Sequence, residues 1–283
     1  MKVNNLNLSI YEKKALEEIY NWKNPINTWD NLIKYVNLPF EMAGKAIMKI
    51  PGAKFIIENS VLKLVSILTD FSQWSVRANV IFEEYRKNGF NINQYEDIFD
   101  LDLEHIDKTI GLLGSKYKTI AAGEGVGAGS IGIAGIPVDI VALITINLRA
   151  IAEYAIYYGF DIAIKEERFY AMNILSLSSS PTDSAKQIAI TQLSNIAKDL
   201  AQKRSLTELE NIAFVKVVEE IASSLGAQLT EAKLAQVIPA TGALIAGGFN
   251  AYYTSRTCEA ANMLYRERWF FEKYGEDFIS SIL

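Results

Sequence analysis

Residues that could do chemistry are few and widely spaced in this chain of 283 residues. It contains one histidine, His105, and one cysteine, Cys258. One histidine provides no His–His or His–Cys metal cluster, and we find no conventional Ser-His-Asp set. The sequence therefore predicts no catalytic residue, no metal site and no cofactor. A lone cysteine forms no intramolecular disulfide, which fits a reducing cytosol, and we interpret His105 as a surface histidine and Cys258 as a packed one.

Asp139 is the polar residue that most suggests a function, because Ile, Val, Gly and Ala surround it. On a helix, Asp139, Arg149 and Glu153 fall within an arc of about 80°, and Arg149 and Glu153 form an i,i+4 pair. Pro137 suits the first helical position, which places the Asp139 carboxylate near the free N–H groups of the first turn. Helix capping is the favoured interpretation, and contact with a polar ligand or lipid headgroup is the alternative.

Three further polar residues lie near the C-terminus. Asn250 lies in an apolar stretch, where a buried amide needs a partner, and an interhelical hydrogen bond is favoured over a ligand. Arg256 and Arg266 lie in the last predicted helix among several aromatic residues. Basic and aromatic residues together suit a membrane interface, and they suit a solvated helix edge equally well. These three residues complete the candidates for ligand or lipid contact.

The elements that must position these residues are helices. Apolar residues recur at helical spacing throughout, and no alternating strand pattern bounded by hairpin turns occurs. The capping-box pattern from Ser9 to Glu12 opens the first helix. Further helices are predicted over 59–87, from about 100 to 122, and from Pro137 to Gly159. The chain is predicted to be all-α.

Glycine is concentrated between residues 111 and 135, which hold eight of the seventeen glycines. Glycines four residues apart remove side chains from one helix face and let another backbone approach closely. A phosphate-binding loop is disfavoured, because no G-x-x-x-x-G-K-[ST] motif is present. We predict a multi-helix bundle around two glycine-rich apolar helices. The glycines assigned to this packing are Gly123, Gly125, Gly127, Gly129, Gly242 and Gly247.

Two stretches are long enough for a membrane-spanning helix, which needs about 20 residues. The first runs from 125 to 148 with only Asp139 charged, and the second is the uncharged segment 234–255. The charge inside the first and the polar residues inside the second argue against integral spanning. We predict one domain over residues 1–283, with an N-terminal helical region at 1–100 and a core at 101–283.

The charge balance limits the class of partner. Lysine and arginine total 28 against 33 aspartate and glutamate residues, a net charge of −5. A protein that binds nucleic acid through bulk electrostatics usually carries the opposite sign. We therefore expect no nucleic-acid partner.

The glycine-rich stretch, the helix that Pro137 begins and the later segment from 233 to 270 together resemble the EcsC protein family. The resemblance covers roughly residues 112–271 and departs from the family at Ile136-Pro137, where many members have a Leu/Pro-rich turn. The positions that carry it are Gly125, Gly129, Asp139, Arg149, Tyr158, Gly159, Asp161, Pro239, Gly242, Gly247, Asn250 and Arg266.

The resemblance implies a helical bacterial protein that faces the cytosol and acts at or near the membrane, since some members are encoded next to an ABC transporter linked to secretion. It implies no established catalytic residues. The leading hypothesis is a non-enzymatic protein bound peripherally to the inner face of the cell membrane, or to a membrane complex such as an ABC transporter. The alternatives are a membrane-inserting, toxin-like or pore-forming protein, and a hydrolase or lipid-modifying enzyme that uses Asp139. Ligand and oligomeric state are not predicted.

Overall fold

The structure is a computed structural model that describes residues 8–24, 52–73, 75–128, 136–178, 183–201, 218–219, 221–223, 226, 230 and 249–282. All regular structure in these ranges is helical, which confirms the all-α prediction there. The same ranges contain two short 3-10 turns, at Phe71–Gln73 and Glu96–Asp100. The α-helices are α1 (Ile10–Lys23), α2 (Ala53–Thr69), α3 (Ala78–Lys87), α4 (Leu103–Ile110), α5 (Leu113–Ala128), α6 (Ile136–Tyr157), α7 (Lys165–Ser178), α8 (Asp183–Ala201), α9 (Phe249–Tyr274) and α10 (Glu276–Ser280).

Helices α6 and α9 form the centre of the described bundle. They pack against each other, and both contact α5 and α7. Helix α2 covers another side of α6, while α1, α8 and α10 pack on α9. Burial along both helices explains this placement, since Leu148 and Ile151 of α6 and Tyr265, Trp269 and Phe270 of α9 are fully buried.

The predicted glycine-rich centre is not seen in the described residues. Neither α6 nor α9 contains a glycine there. Gly123, Gly125 and Gly127 lie near the end of α5, and a Cβ built on Gly123 would meet no other atom within 4 Å. Gly129, Gly242 and Gly247 lie outside the described residues. The centre of the described bundle is therefore formed by two helices without glycine, and the close approach predicted at Gly123 does not occur.

Close approach occurs instead at glycines that the packing prediction did not include, among them Gly114, Gly159 and Gly226. A Cβ on Gly114 of α5 would lie 3.3 Å from the Tyr154 hydroxyl and 3.6 Å from Cys258 Cβ. At Gly159 it would lie 2.9 Å from the carbonyl oxygen of Tyr95. Gly159 also has φ +90°, a conformation that favours glycine at the end of a helix. It lies directly after the Tyr158 that follows α6, where the sequence predicts the end of that helix.

The predicted helix over 59–87 is wrong, because the structure has two helices there. Helix α2 ends at Thr69, and the Asp70 side chain then accepts hydrogen bonds from the backbone N–H (3.1 Å) and the hydroxyl (2.6 Å) of Ser72. Such local bonds give the backbone an alternative to continuing the helix. The helix predicted from about 100 to 122 is likewise divided, at Gly111 with φ +52°. The capping box at Ser9 and Glu12 is confirmed.

Helix α6 is the one helix within the described residues that is long and apolar enough to cross a membrane. In its most apolar 18-residue window, 67 % of the residues are buried inside the protein. The core helix of a soluble protein meets the same criteria of length and composition. Most of the second apolar stretch, 234–248, lies outside the described residues.

Candidate functional site

The first candidate residue, Asp139, meets the Asn250 side chain across the seam between α6 and α9. Asp139 lies half-buried in the first turn of α6, and its Oδ1 accepts a hydrogen bond from Nδ2 of buried Asn250 at 3.4 Å. The interhelical hydrogen bond predicted for Asn250 is therefore confirmed. The bond identifies the first turn of α6 as the place where these two candidates come together.

A second polar contact, which is not among the sequence predictions, lies deeper in the same seam. Asn147 Nδ2 donates to the Leu143 carbonyl oxygen at 2.7 Å and lies 3.1 Å from the hydroxyl oxygen of Thr254. Asn147 and Thr254 are fully buried, and Asn147 Oδ1 has no hydrogen-bond partner among the described residues. The available signal was an amide within an apolar helix, the same signal that identified Asn250.

Glu153 belongs to a different group, which joins α5 to α6. Its carboxylate accepts hydrogen bonds from Lys116 Nζ at 2.9 Å and from the Tyr117 hydroxyl at 2.8 Å. Burial, reinforced by this carboxylate, raises the pKa of Tyr117 well above its usual range. Arg149 is exposed one turn earlier on α6. Asp139 and Glu153 therefore serve separate contacts and do not form one site.

Arg266 of α9 lies at the centre of a network that joins four parts of the chain. Its guanidinium donates to Glu18 of α1 at 2.9 Å and to Asp107 of α4 at 2.8 Å. Asp107 also accepts a hydrogen bond from the Tyr11 hydroxyl at 2.8 Å, and the Tyr158 hydroxyl lies 2.8 Å from its other oxygen. Arg266 is buried, and its Nε has no hydrogen-bond partner among the described residues. The network thus fixes α1 and α4 against α9.

Arg268 forms an enclosed pair with Glu167 of α7. Its two terminal nitrogens donate to the two carboxylate oxygens at 2.5 and 2.7 Å, and the relative exposures of the two residues are 3 % and 7 %. The guanidinium carbon also lies 4.0 Å from the ring centroid of Phe160 and 4.6 Å from that of Tyr170. Burial alone would lower the pKa of Arg268, but the pair with Glu167 holds it above its usual value.

Glu267, between these two arginines, is buried against α1 and α8. Its carboxylate accepts a hydrogen bond from Lys23 Nζ, which also donates to Ser194 Oγ at 2.9 Å. Burial raises the pKa of Glu267 above its usual value, although the Lys23 ammonium opposes the shift. The other Glu267 oxygen is buried and has no hydrogen-bond partner among the described residues.

The interpretation of the last helix as a solvated or membrane-facing edge is wrong at Arg266, Glu267 and Arg268. All three are buried, and their partners lie on α1 and α4 for Arg266, on α1 for Glu267 and on α7 for Arg268. Consecutive residues of a helix are rotated by about 100°, so three buried charges in a row require neighbours around most of the helix. Arg256, ten residues earlier, is half-buried and donates to the Tyr252 hydroxyl at 3.0 Å.

His105 and Cys258, the single histidine and the single cysteine of the sequence, both lie in packed surroundings. The His105 ring is half-buried against that of Phe90, with centroids 4.8 Å apart. Cys258 is buried, and burial raises its pKa to about 12, so the thiol is protonated at neutral pH. No group of three or more His, Cys, Asp or Glu residues that could hold a metal ion occurs in the described part of the chain.

Comparison with known proteins identifies the family. The family model for the EcsC protein family matches residues 13–270. The chain belongs to the EcsC protein family. The match extends well beyond the 112–271 of the sequence resemblance, and it includes both Glu18 and Arg266. The network that joins α1 to α9 therefore lies within the part that this EcsC family protein shares with its family.

Two relatives come from Bacillus subtilis (strain 168). "Uncharacterized protein YdbA" is 23 % identical over 272 residues, which cover 93 % of this chain and 94 % of the relative. "Protein EcsC" is 32 % identical over 72 residues, which cover 25 % of this chain and 30 % of that protein. No solved structure matches the chain.

Proposed function

We propose that this EcsC family protein is a non-enzymatic helical protein that binds peripherally to the inner face of the bacterial cytoplasmic membrane or to a membrane complex there. The observation that carries the proposal is which apolar side chains are enclosed in the protein and which are exposed on its surface. The spanning-length helix α6 is mostly enclosed, whereas Phe55, Leu62 and Leu112 are 68 %, 69 % and 80 % exposed. Exposed apolar side chains can enter an interface without any helix leaving the bundle.

The polar contacts of the candidate residues support a structural role for them. Arg266 joins α9 to α1 and α4, Glu153 joins α6 to α5, and Asp139 contacts Asn250 across the central seam. A side chain held in such a link positions helices, whereas a general base must reach a substrate. An ABC transporter is the membrane complex that the family resemblance implies as a partner.

Fractionation of bacterial cells tests the peripheral association. We expect the protein in the membrane fraction and its release from that fraction by carbonate or high salt, because a peripheral contact is small and partly electrostatic. Protein that stays in the membrane after carbonate extraction would contradict peripheral binding. Protein found only in the soluble fraction, with no binding to vesicles, would overturn the membrane assignment.

Dye-filled vesicles separate the proposal from the membrane-inserting alternative. A peripheral protein leaves the bilayer closed, so we expect no dye release at neutral or acidic pH. Release of dye at either pH would contradict the proposal and favour insertion of an apolar helix.

A further inference from the structure

The exposed face of α2 has an apolar centre with a lysine on each side. At about 100° per residue, Phe55 and Leu62 lie within about 20° of each other. On the same projection Lys54 lies about 100° to one side of Phe55, and Lys63 lies about 80° to the other. All four side chains are exposed.

The opposite face of α2 fixes this orientation. Ile56, Leu64 and Ile67 are buried, and α2 packs against the central helix α6. The buried Ser60 hydroxyl lies 3.1 Å from that of Thr230 and donates to the Ile56 carbonyl oxygen. The folded protein therefore presents Phe55 and Leu62 outward on a helix that is already formed, so binding requires no folding of this segment.

We infer that this face of α2 is the surface that contacts the membrane, and that its partner is a bilayer carrying anionic headgroups. The inference rests on the proposed function and deepens it. Apolar side chains at the centre enter the boundary of the acyl chains, while the lysine stems extend beside them and bring their ammonium groups to the phosphates. Lysines near an anionic leaflet each add attraction.

Because the whole molecule is negatively charged, binding to an anionic bilayer requires a local patch of positive charge. A net charge of −5 opposes approach to an anionic bilayer, so the attraction must come from a patch of opposite sign. Glu58 lies within the same face, with its carboxylate 3.9 Å from Lys54 Nζ, and both groups are largely exposed. This carboxylate weakens the patch, which predicts that its removal strengthens binding.

Sedimentation of the full chain with vesicles tests the apolar centre. We expect wild type to bind vesicles of phosphatidylglycerol and phosphatidylcholine more tightly than vesicles of phosphatidylcholine alone. Phe55→Gln with Leu62→Gln should lower the partition coefficient at least about tenfold, because two apolar side chains no longer leave water. Ile188→Gln is the control, since Ile188 is a comparably exposed apolar residue of α8, at 61 %, and it should change binding less than about twofold.

The charged residues give a second, independent measurement. Lys54→Gln and Lys63→Gln should each weaken binding to the anionic vesicles about fivefold, with little change on phosphatidylcholine. Lys87→Gln, at an exposed lysine of α3, is the control and should change binding less than about twofold. Glu58→Gln should strengthen binding to the anionic vesicles by about twofold or more. All of these positions are exposed, so unchanged circular dichroism and unfolding midpoints are expected.

The outcomes separate the inference from the proposed function. Wild type that binds native membranes but no protein-free vesicle would overturn the lipid assignment and leave a membrane complex as the partner. Wild type that binds anionic vesicles with the α2 variants unaffected would overturn the role of α2 and leave peripheral binding standing. Wild type that binds neither membranes nor vesicles would overturn both.

Discussion

Arg268 and Glu167 show how single residues stabilise the centre of this fold. Removing two charges from water costs several kcal/mol, and the attraction between them offsets this only when the geometry is good. Here the geometry is bidentate, and aromatic rings contact the guanidinium. The protein should therefore lose far more stability when one member of the pair is removed than when both are replaced by apolar residues.

Arg268→Met should lower the free energy of unfolding by about 3–5 kcal/mol, because it leaves the Glu167 carboxylate buried without its cation. Replacing both residues, Arg268→Met with Glu167→Leu, should be less destabilising than the single change. Arg256→Met, at a half-buried arginine of the same helix, should cost less than about 1 kcal/mol. Urea denaturation followed by circular dichroism measures all three, and equal effects at Arg268 and Arg256 would contradict the structural role of the pair.

Glu267 makes stability depend on pH in a defined direction. Burial raises its pKa above the ordinary value of 4.5, so the folded protein binds this proton more tightly than the unfolded chain. The contribution to stability is complete below about pH 4 and is lost as the pH rises through the folded-state pKa. Glu267→Gln removes this dependence.

The measurement for Glu267 is the difference in urea midpoint between wild type and Glu267→Gln from pH 4 to 8. We expect wild type to lose stability relative to the variant as the pH rises. Glu267→Gln also leaves Lys23 without its carboxylate partner. This loss changes the urea midpoint of the variant at both pH 4 and pH 8, and it leaves the sign of the slope unchanged. A slope of the opposite sign would show that the ion pair with Lys23 outweighs burial.

Local residue patterns were predictable from the sequence, and long-range charge pairs were not. The capping box at Ser9 and the need of Asn250 for a partner are visible because each depends on its immediate surroundings. Arg266 and Arg268 resemble surface residues because their partners, Glu18 and Glu167, lie 248 and 101 residues away. Only the fold brings them together, so the aromatic and basic residues of this helix, read from the sequence alone, suit a membrane interface and a solvated edge equally well.

At the scale of elements, the sequence predicts the helix end at Gly159 but not the break at Gly111, although both glycines have a positive φ. The end of α6 was predicted correctly, because Gly159 adopts a left-handed conformation there. The break after Thr69 was missed, because it depends on hydrogen bonds from Ser72 to one aspartate side chain. The role assigned to Gly123 failed because spacing shows which face lacks side chains but not whether another helix lies against it.

Gly159→Ala and Gly123→Ala form a matched pair of substitutions. At Gly159 the new Cβ would lie 2.9 Å from the Tyr95 carbonyl oxygen in a strained backbone conformation, so we expect a loss of at least about 2 kcal/mol. At Gly123 the space is open, and alanine should stabilise α5 by about 0.5–1 kcal/mol. Thermal unfolding measures both, and a strongly destabilising Gly123→Ala would restore the original packing hypothesis.

At the scale of the whole molecule, the fold joins the N-terminal helix to the last long helix. Glu12 accepts a hydrogen bond from the Tyr274 hydroxyl at 2.7 Å, Glu18 pairs with Arg266, and Lys23 pairs with Glu267. These three contacts lie along the length of α1 and reach the last third of α9, at Tyr274, Arg266 and Glu267. The resemblance found in the sequence covers roughly residues 112–271 and does not indicate these contacts between α1 and α9.

Native-state hydrogen exchange tests whether α1 and α9 unfold as one unit, as a single domain over 1–283 predicts. The amides of Leu16 and Ile19, two buried residues of α1, should exchange with the same opening free energy as those of Leu264 and Trp269 in α9, since their contacts are lost together. Arg266→Gln removes the charged link to Glu18 and should lower protection in both helices equally. If α1 instead opens at a free energy more than about 2 kcal/mol below that of α9, the N-terminal helix is a separate cooperative unit and the single-domain prediction is wrong.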